Sequence, residues 1–182
     1  MLTADEFLED VVRPNVEAQR RNVGDMRLAV NAILTADAFW GLLHAEWKNT
    51  NGPAGHPAPP PDDSTFRDKV AERNQPYRLL RDFAFAIKHG ELVGSKPRLV
   101  RKPNVKPLDR VWDDNAIWSD DEYWSDTETC IETDASEKPD IPAGIAPVRS
   151  VLAAAVECAA AAKPGVPYLE ATLPDLPGWK AT

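Results

Sequence analysis

Apolar residues recur at threes and fours over most of the first ninety positions, the period of helices that bury one face. Thr3-Ala4-Asp5-Glu6 has capping-box spacing, and Phe7, Leu8, Val11 and Val12 follow it as the apolar side of a first helix. Pro14 has no N–H to offer and is expected to break or kink that helix. From Asn15 to Trp47 the positions Val16, Val23, Met26, Val30, Ile33, Leu34, Trp40 and Leu43 line one broad face. An uninterrupted helix of that span is about 50 Å long, with Gly24 as its weak point.

The period stops at residues 48–63 (KNTNGPAGHPAPPPDD), which read as a flexible surface loop with His56 incidental to it. Asp63-Ser64-Thr65 then offers an N-cap, and Phe66 and Val70 stand four apart on a short helix. Pro76 suits a first helical position and opens a helix over Tyr77–His89, with Gly90 as its stop. Residues 98–101 (RLVR) and 127–133 (TETCIET) are β-branched or alternating and predict a small antiparallel sheet. Pro147 starts a last, alanine-rich helix, VRSVLAAAVECAAAAK. Residues 164–182 predict an extended Pro-rich tail that Tyr168, Leu169, Leu173, Leu176 and Trp179 can dock onto the body. The expected architecture is mostly α. One helical bundle fills residues 1–163, with a small antiparallel β and acidic insertion at about 96–140, and the tail follows.

Composition changes this picture in one respect. The net charge is −8, yet residues 1–112 are nearly balanced, with 17 Lys/Arg against 15 Asp/Glu. The acidity is a block: residues 113–140 hold 11 acids and one lysine. Just before it, Lys96, Arg98, Arg101, Lys102, Lys106 and Arg110 form a basic ribbon against Asp109 alone. Trp112, Trp118, Tyr123 and Trp124 are set among the carboxylates of segment 112–134, a composition suited to a basic protein partner or to shielding the adjacent ribbon. Cys130 and Cys158 lie far apart in no metal-ligand spacing, no secretory leader pattern opens the chain, and no run of about 18 apolar residues occurs. The expectation is a reduced, cytoplasmic protein away from membranes, with no cofactor and no metal. Phosphate loops, nucleophile elbows, zinc-protease motifs and dinucleotide fingerprints are absent from the sequence.

The candidate chemistry sits on two helices. In RDFAFAIKHG (81–90), Asp82 and His89 share a stripe seven residues apart, with Arg81 and Lys88 on the adjacent one and Leu80, Phe83, Ala84 and Ile87 opposite. On the long helix, Asp37, Trp40, His44 and Trp47 make a similar stripe. Read as a site, His89 and His44 are acid/base candidates, Arg81 and Lys88 bind an anion, and Asp37 or Asp82 orients a histidine, which suits a phosphodiester. Read as structure, Asp82 early and Lys88-His89 late complement the helix dipole, and Asp37 and His44 hydrogen-bond inside the core. Asp37, His44 and His89 also number enough for a carboxylate–histidine metal site, although no spacing favours metal.

The helix carrying Asp37, Trp40 and His44, taken with LRDFAFAIKHGEL, resembles a group of small bacterial and phage-type helical proteins. Their second motif reads roughly Leu-Arg-Asp-x-Ala-Asn-Ala-x-Lys-His. Leu80, Arg81, Asp82, Ala84, Ala86, Lys88 and His89 match it, and Phe85 replaces the asparagine. The group is similar in helical plan to HEPN-like domains, some of which are metal-independent ribonucleases of toxin–antitoxin and defence systems. The resemblance covers about residues 15–100. It implies an RNA-directed activity centred on Arg81 and His89, with His44 and Asp37 in support; apart from the resemblance, a homodimer is one expected form of assembly. The HEPN signature places four to six residues between arginine and histidine, whereas seven separate Arg81 from His89 here. The competing expectation is a non-enzymatic interaction module that uses segment 112–134.

Overall fold

The computed structural model of the chain describes residues 2–50, 58–92, 99–109, 127–133 and 144–162. His56, the tryptophans of the acidic segment and the tail from 164 onward lie outside the described residues. Six α-helices and a three-stranded antiparallel sheet are present among the described ones: α1 Ala4–Phe7, α2 Arg13–Arg21, α3 Met26–Thr50, α4 Asp63–Arg73, α5 Gln75–His89 and α6 Val148–Ala161, with β1 Val105–Asp109, β2 Thr127–Thr133 and β3 Gly144–Pro147. The chain is mostly helical, as its hydrophobic period predicts.

The N-terminal capping box forms as its spacing requires. Thr3 Oγ1 accepts from the Glu6 N–H, and the Thr3 N–H donates to the Glu6 carboxylate. Glu46 of α3 accepts from the Ala4 N–H at 2.9 Å, so the first turn is also tied to the central helix. Pro14 does not end the helix. Leu8–Val12 runs instead as a π-turn, with the Arg13 N–H donating to Leu8 O five residues back, and α2 starts around the proline. The wider turn removes the clash that a proline ring makes with the carbonyl four residues earlier.

The long helix expected over Asn15–Trp47 is two helices. The chain leaves helical geometry at Asn22, turns through Gly24, and restarts when Asp25 Oδ1 accepts from the Arg27 and Leu28 N–H groups. α3 then runs past Trp47 to Thr50 and takes in the start of the segment read as loop. It packs against α1, α2, α4, α5 and α6 and is the centre of the bundle. By length and composition α3 could cross a membrane, but half of its most apolar window is buried in the protein and its Asp37 is ion-paired to neighbouring helices. Its apolar face is the core, where Ile33, Phe39, Trp40, Leu43 and Trp47 meet Phe66, Tyr77, Leu80 and Phe83.

α4 is capped by Asp62, one residue before the expected position, through the Thr65 N–H at 2.7 Å. Asn74 caps α5 through the Tyr77 N–H. Gly90 stops α5 with its N–H on Ala86 O at φ +75° and ψ −133°, backbone space that only glycine enters without strain.

The described part of RLVR, Leu99 to Arg101, is not a strand. Leu99 and Val100 are buried, but the Leu99 N–H donates to the Asp82 carboxylate at 2.7 Å, and the Leu92 N–H bonds Arg101 O. A side-chain acceptor replaces the ladder, and the strand comes later, at β1. β1 contains Pro107, which the order β1-β2-β3 tolerates because β1 is an edge strand. β2 forms over the predicted residues, with Val105 opposite Ile131 and Ala146 opposite Ile131 on the other side. The sheet is fastened to the bundle by the Thr129 N–H on Val23 O at 2.8 Å and by an ion pair of Arg149 in α6 with Glu128 at 2.6 Å.

Apart from its chain neighbours, no heavy atom of the described residues lies within 4 Å of the place a Cβ would take at Gly90, so Gly90→Ala isolates the backbone cost of that stop. The substitution should lower unfolding free energy by about 1–3 kcal/mol in urea titrations, with an unchanged dependence on denaturant.

Candidate functional site

The polar residues singled out by sequence gather around one carboxylate. Asp37, halfway along α3, is 3% exposed. Its Oδ2 accepts from Arg67 Nη1 of α4 at 2.9 Å and from Lys88 Nζ of α5 at 3.0 Å, and its Oδ1 accepts from the Tyr77 hydroxyl at 3.3 Å. A buried carboxylate is costly unless its lone pairs are met, and here two cations and a phenol from the two neighbouring helices meet them. Arg67 also bonds Asp63 of its own helix through Nη2 at 2.5 Å. It reaches Asp37 by crossing Gly41, where an added Cβ would collide with that same Nη2. Aromatic rings support the cluster from below: Trp40 lies 5.1 Å from Tyr77 and 6.2 Å from Phe66, centroid to centroid.

Of the expected site residues, the structure brings Asp37 and Lys88 together and sends the others elsewhere. Arg81 is buried and turns toward α4, where Nε and Nη2 both bond Asp68 Oδ1, at 3.1 and 2.8 Å, and Nη2 reaches Ser64. Asp82 is buried and holds the Leu99 N–H. The helix face read as a polar edge is therefore largely interior, because α4 and the segment at 99–101 cover it and each supplies a polar partner. His44 is buried, stacks on Phe66 at 5.5 Å and bonds Pro60 O at 2.8 Å. A carbonyl only accepts, so the proton of this bond resides on Nε2. His89 is exposed at the end of α5, with its ring 4.4 Å from that of Phe85. Among the described residues no group of three or more His, Cys, Asp or Glu side chains converges to hold a metal ion.

Burial and charge act together on these groups. Burial, then the Asp37 carboxylate, push the Tyr77 hydroxyl well above its ordinary pKa, so it stays a donor. Burial works against the charge of Arg81, but Tyr77 and Asp68 outweigh it and the guanidinium pKa is raised. Burial pushes both thiols, Cys130 and Cys158, up to about 11, which keeps them protonated and poor nucleophiles at neutral pH.

Sequence reasoning missed Arg67, Tyr77, Asp68 and Gly41. A signal for them existed. Asp37 and Gly41, Asp63 and Arg67, and Tyr77 and Arg81 are each four apart, so polar and small positions recur at helical spacing on faces otherwise apolar. No family model, curated protein or solved structure matches the chain.

Chemically, the cluster is an ionic tie among three helices, in which each cation is already directed onto a protein carboxylate. Asp37→Ala should cost on the order of 3 kcal/mol of stability, since it removes the buried carboxylate that Arg67, Lys88 and Tyr77 share and leaves Arg67 with the half-exposed Asp63 alone. Lys88→Met should cost under about 1 kcal/mol, since the Lys88 side chain is 43% exposed and screened by water. Urea midpoints of the two variants check this order.

Stability should also fall at alkaline pH. The thiols and Tyr77 hold their protons more tightly folded than unfolded, so their contribution is full below the unfolded pKa values and is lost as pH rises through the folded ones. The decline should begin near pH ~9, where unfolded thiols ionise, and its part above pH ~10 should be reduced in Tyr77→Phe.

Proposed function

We propose that this chain is a non-enzymatic interaction module. Its acidic, aromatic segment 112–134 recognises a partner with a basic surface, and its helical bundle carries the strands that join that segment. One observation carries the reading. Of the six residues with the chemistry for a phosphodiester, Asp37, His44, Arg81, Asp82 and Lys88 spend hydrogen bonds on other parts of the same chain, and the sixth, His89, lies exposed with its ring against Phe85. The ribonuclease alternative requires Arg81 to face a substrate beside His89, whereas its guanidinium is directed onto Asp68 and Ser64.

The base of the acidic segment supports the same reading. β1 and β2 pair at Asp109 and Thr127, so residues 110–126 join two hydrogen-bonded strands. The second of these is tied to the bundle through Thr129 and Glu128. Segment 112–134 itself holds nine Asp/Glu and no Lys or Arg. That charge favours a basic surface at long range, and aromatic rings supply contact area at short range.

Two measurements test the proposal together. A Lys/Arg-rich peptide should bind the wild-type chain at low salt and weaken steeply as salt rises. Replacing Trp112, Trp118 and Trp124 by serine should reduce that binding at least about tenfold, the scale of one or two lost aromatic anchors. Wild type and His89→Ala should both leave single-stranded RNA intact. RNA cleavage by wild type that His89→Ala abolishes would overturn the reading in favour of the ribonuclease.

A further inference from the structure

One stretch of the chain solves an unusual hydrogen-bonding problem. Pro59-Pro60-Pro61 has three carbonyls and no N–H, so it cannot join a ladder and its acceptors must find side-chain donors or water. α3 supplies such donors from one face. His44, Trp47 and Lys48 stand at i, i+3 and i+4, on neighbouring positions of the same helical stripe. His44 Nε2 donates to Pro60 O at 2.8 Å, and Lys48 Nζ reaches Pro61 O at 3.5 Å. The third donor, Trp47 Nε1–H, is buried and has no acceptor among the described residues.

The walls are aromatic. His44 stacks on Phe66 at 5.5 Å and 25°, and Trp47 meets the same Phe66 edge-on at 5.9 Å and 70°. Pro60 is buried, while Ala58 and Pro61 on either side of the Pro59-Pro60 pair are exposed. Aromatic rings, and ring N–H or ammonium donors directed at carbonyls of a proline run, are the means by which grooves recognise polyproline II segments. A proline run is suited to this because little entropy is lost on fixing it.

We infer that the His44–Trp47–Lys48 face of α3, closed by Phe66, is a binding site for proline-rich segments. It is filled in cis by Pro59–Pro61 and exchangeable for a proline-rich segment of another protein. The occupant follows from the segment already seated there. Exchange follows from the imperfect fit: one donor is well met, one is at the limit of hydrogen-bond distance, and the buried indole N–H is unmet. A segment in trans whose register sets a carbonyl on Trp47 gains a bond that the cis segment does not make. This inference is independent of the acidic segment and of its partner.

The test uses the full chain and a ten-residue polyproline peptide, which offers carbonyls in every register. Binding is followed by the Trp47 indole N–H resonance, assigned with Trp47→Phe, and folding is checked by circular dichroism. The variant Pro59→Gly/Pro60→Gly/Pro61→Gly weakens the cis competitor, so it should bind the peptide about tenfold or more tighter than wild type. If that variant does not fold, Pro60→Ala replaces it and should show the same direction. Trp47→Phe, which keeps a ring and removes the donor, should weaken binding severalfold in the same background. A Trp47 resonance unmoved by peptide at about millimolar concentration in the folded variant would overturn the inference. Equal affinity of variant and wild type would overturn it too, because the peptide would then be binding elsewhere.

Discussion

A carboxylate at the centre of the longest helix has to be answered by charges from other helices, and much of this structure follows from that requirement. Asp37 lies in the middle of α3, where burial makes an unpaired charge untenable. Arg67, Lys88 and Tyr77 answer it, and in doing so they fix how α4 and α5 lie against α3. Gly41 is part of the same solution, because a Cβ there would meet the Arg67 guanidinium and make it shift from its present path to Asp37. Beneath this polar tie, Trp40, Phe66 and Tyr77 pack ring against ring, and they supply the hydrophobic driving force that the ion network by itself does not.

The same logic of an interior polar group demanding a partner recurs through the molecule. Asp82 answers the Leu99 N–H and so brings the chain back over α5 without a strand. Asp68 and Ser64 answer Arg81 across the α4–α5 contact. His44 answers a proline carbonyl at the end of the 51–62 connection. A helix pattern that looks like an active edge can thus be the set of ties that holds a bundle in register.

Most helix ends were legible in the sequence because their signals are local: the capping box at Thr3, the proline near the start of α5 and the glycine at 90. The break between α2 and α3 was not, because the period of three and four runs across it. β2 was legible from a local signal too, as a run of β-branched and alternating residues. β1 was not, because Pro107 argues against a strand unless one knows that the strand is at an edge. RLVR was misread because its apolar residues are buried by a long-range bond to Asp82, which no window of sequence shows. The polar cluster was half legible. Asp37 and Lys88 stood out as charges on apolar helices. Their meeting depended on how α3 and α5 pack, and Arg67 entered only through α4. The tryptophans of segment 112–134 lie outside the described residues, so its proposed role rests on its composition and on the strands at its base.

The central claim is that Asp37 and Arg67 form a coupled pair that ties α3 to α4. A double-mutant cycle with Asp37→Asn, Arg67→Met and the combined variant, read by urea unfolding, measures that coupling directly. The account predicts that the double variant is less destabilised than the sum of the singles by about 1–3 kcal/mol, because each single change removes a direct ionic partner of the other residue and leaves it only its remaining contacts. Additive losses, with a coupling of zero within error, would contradict it.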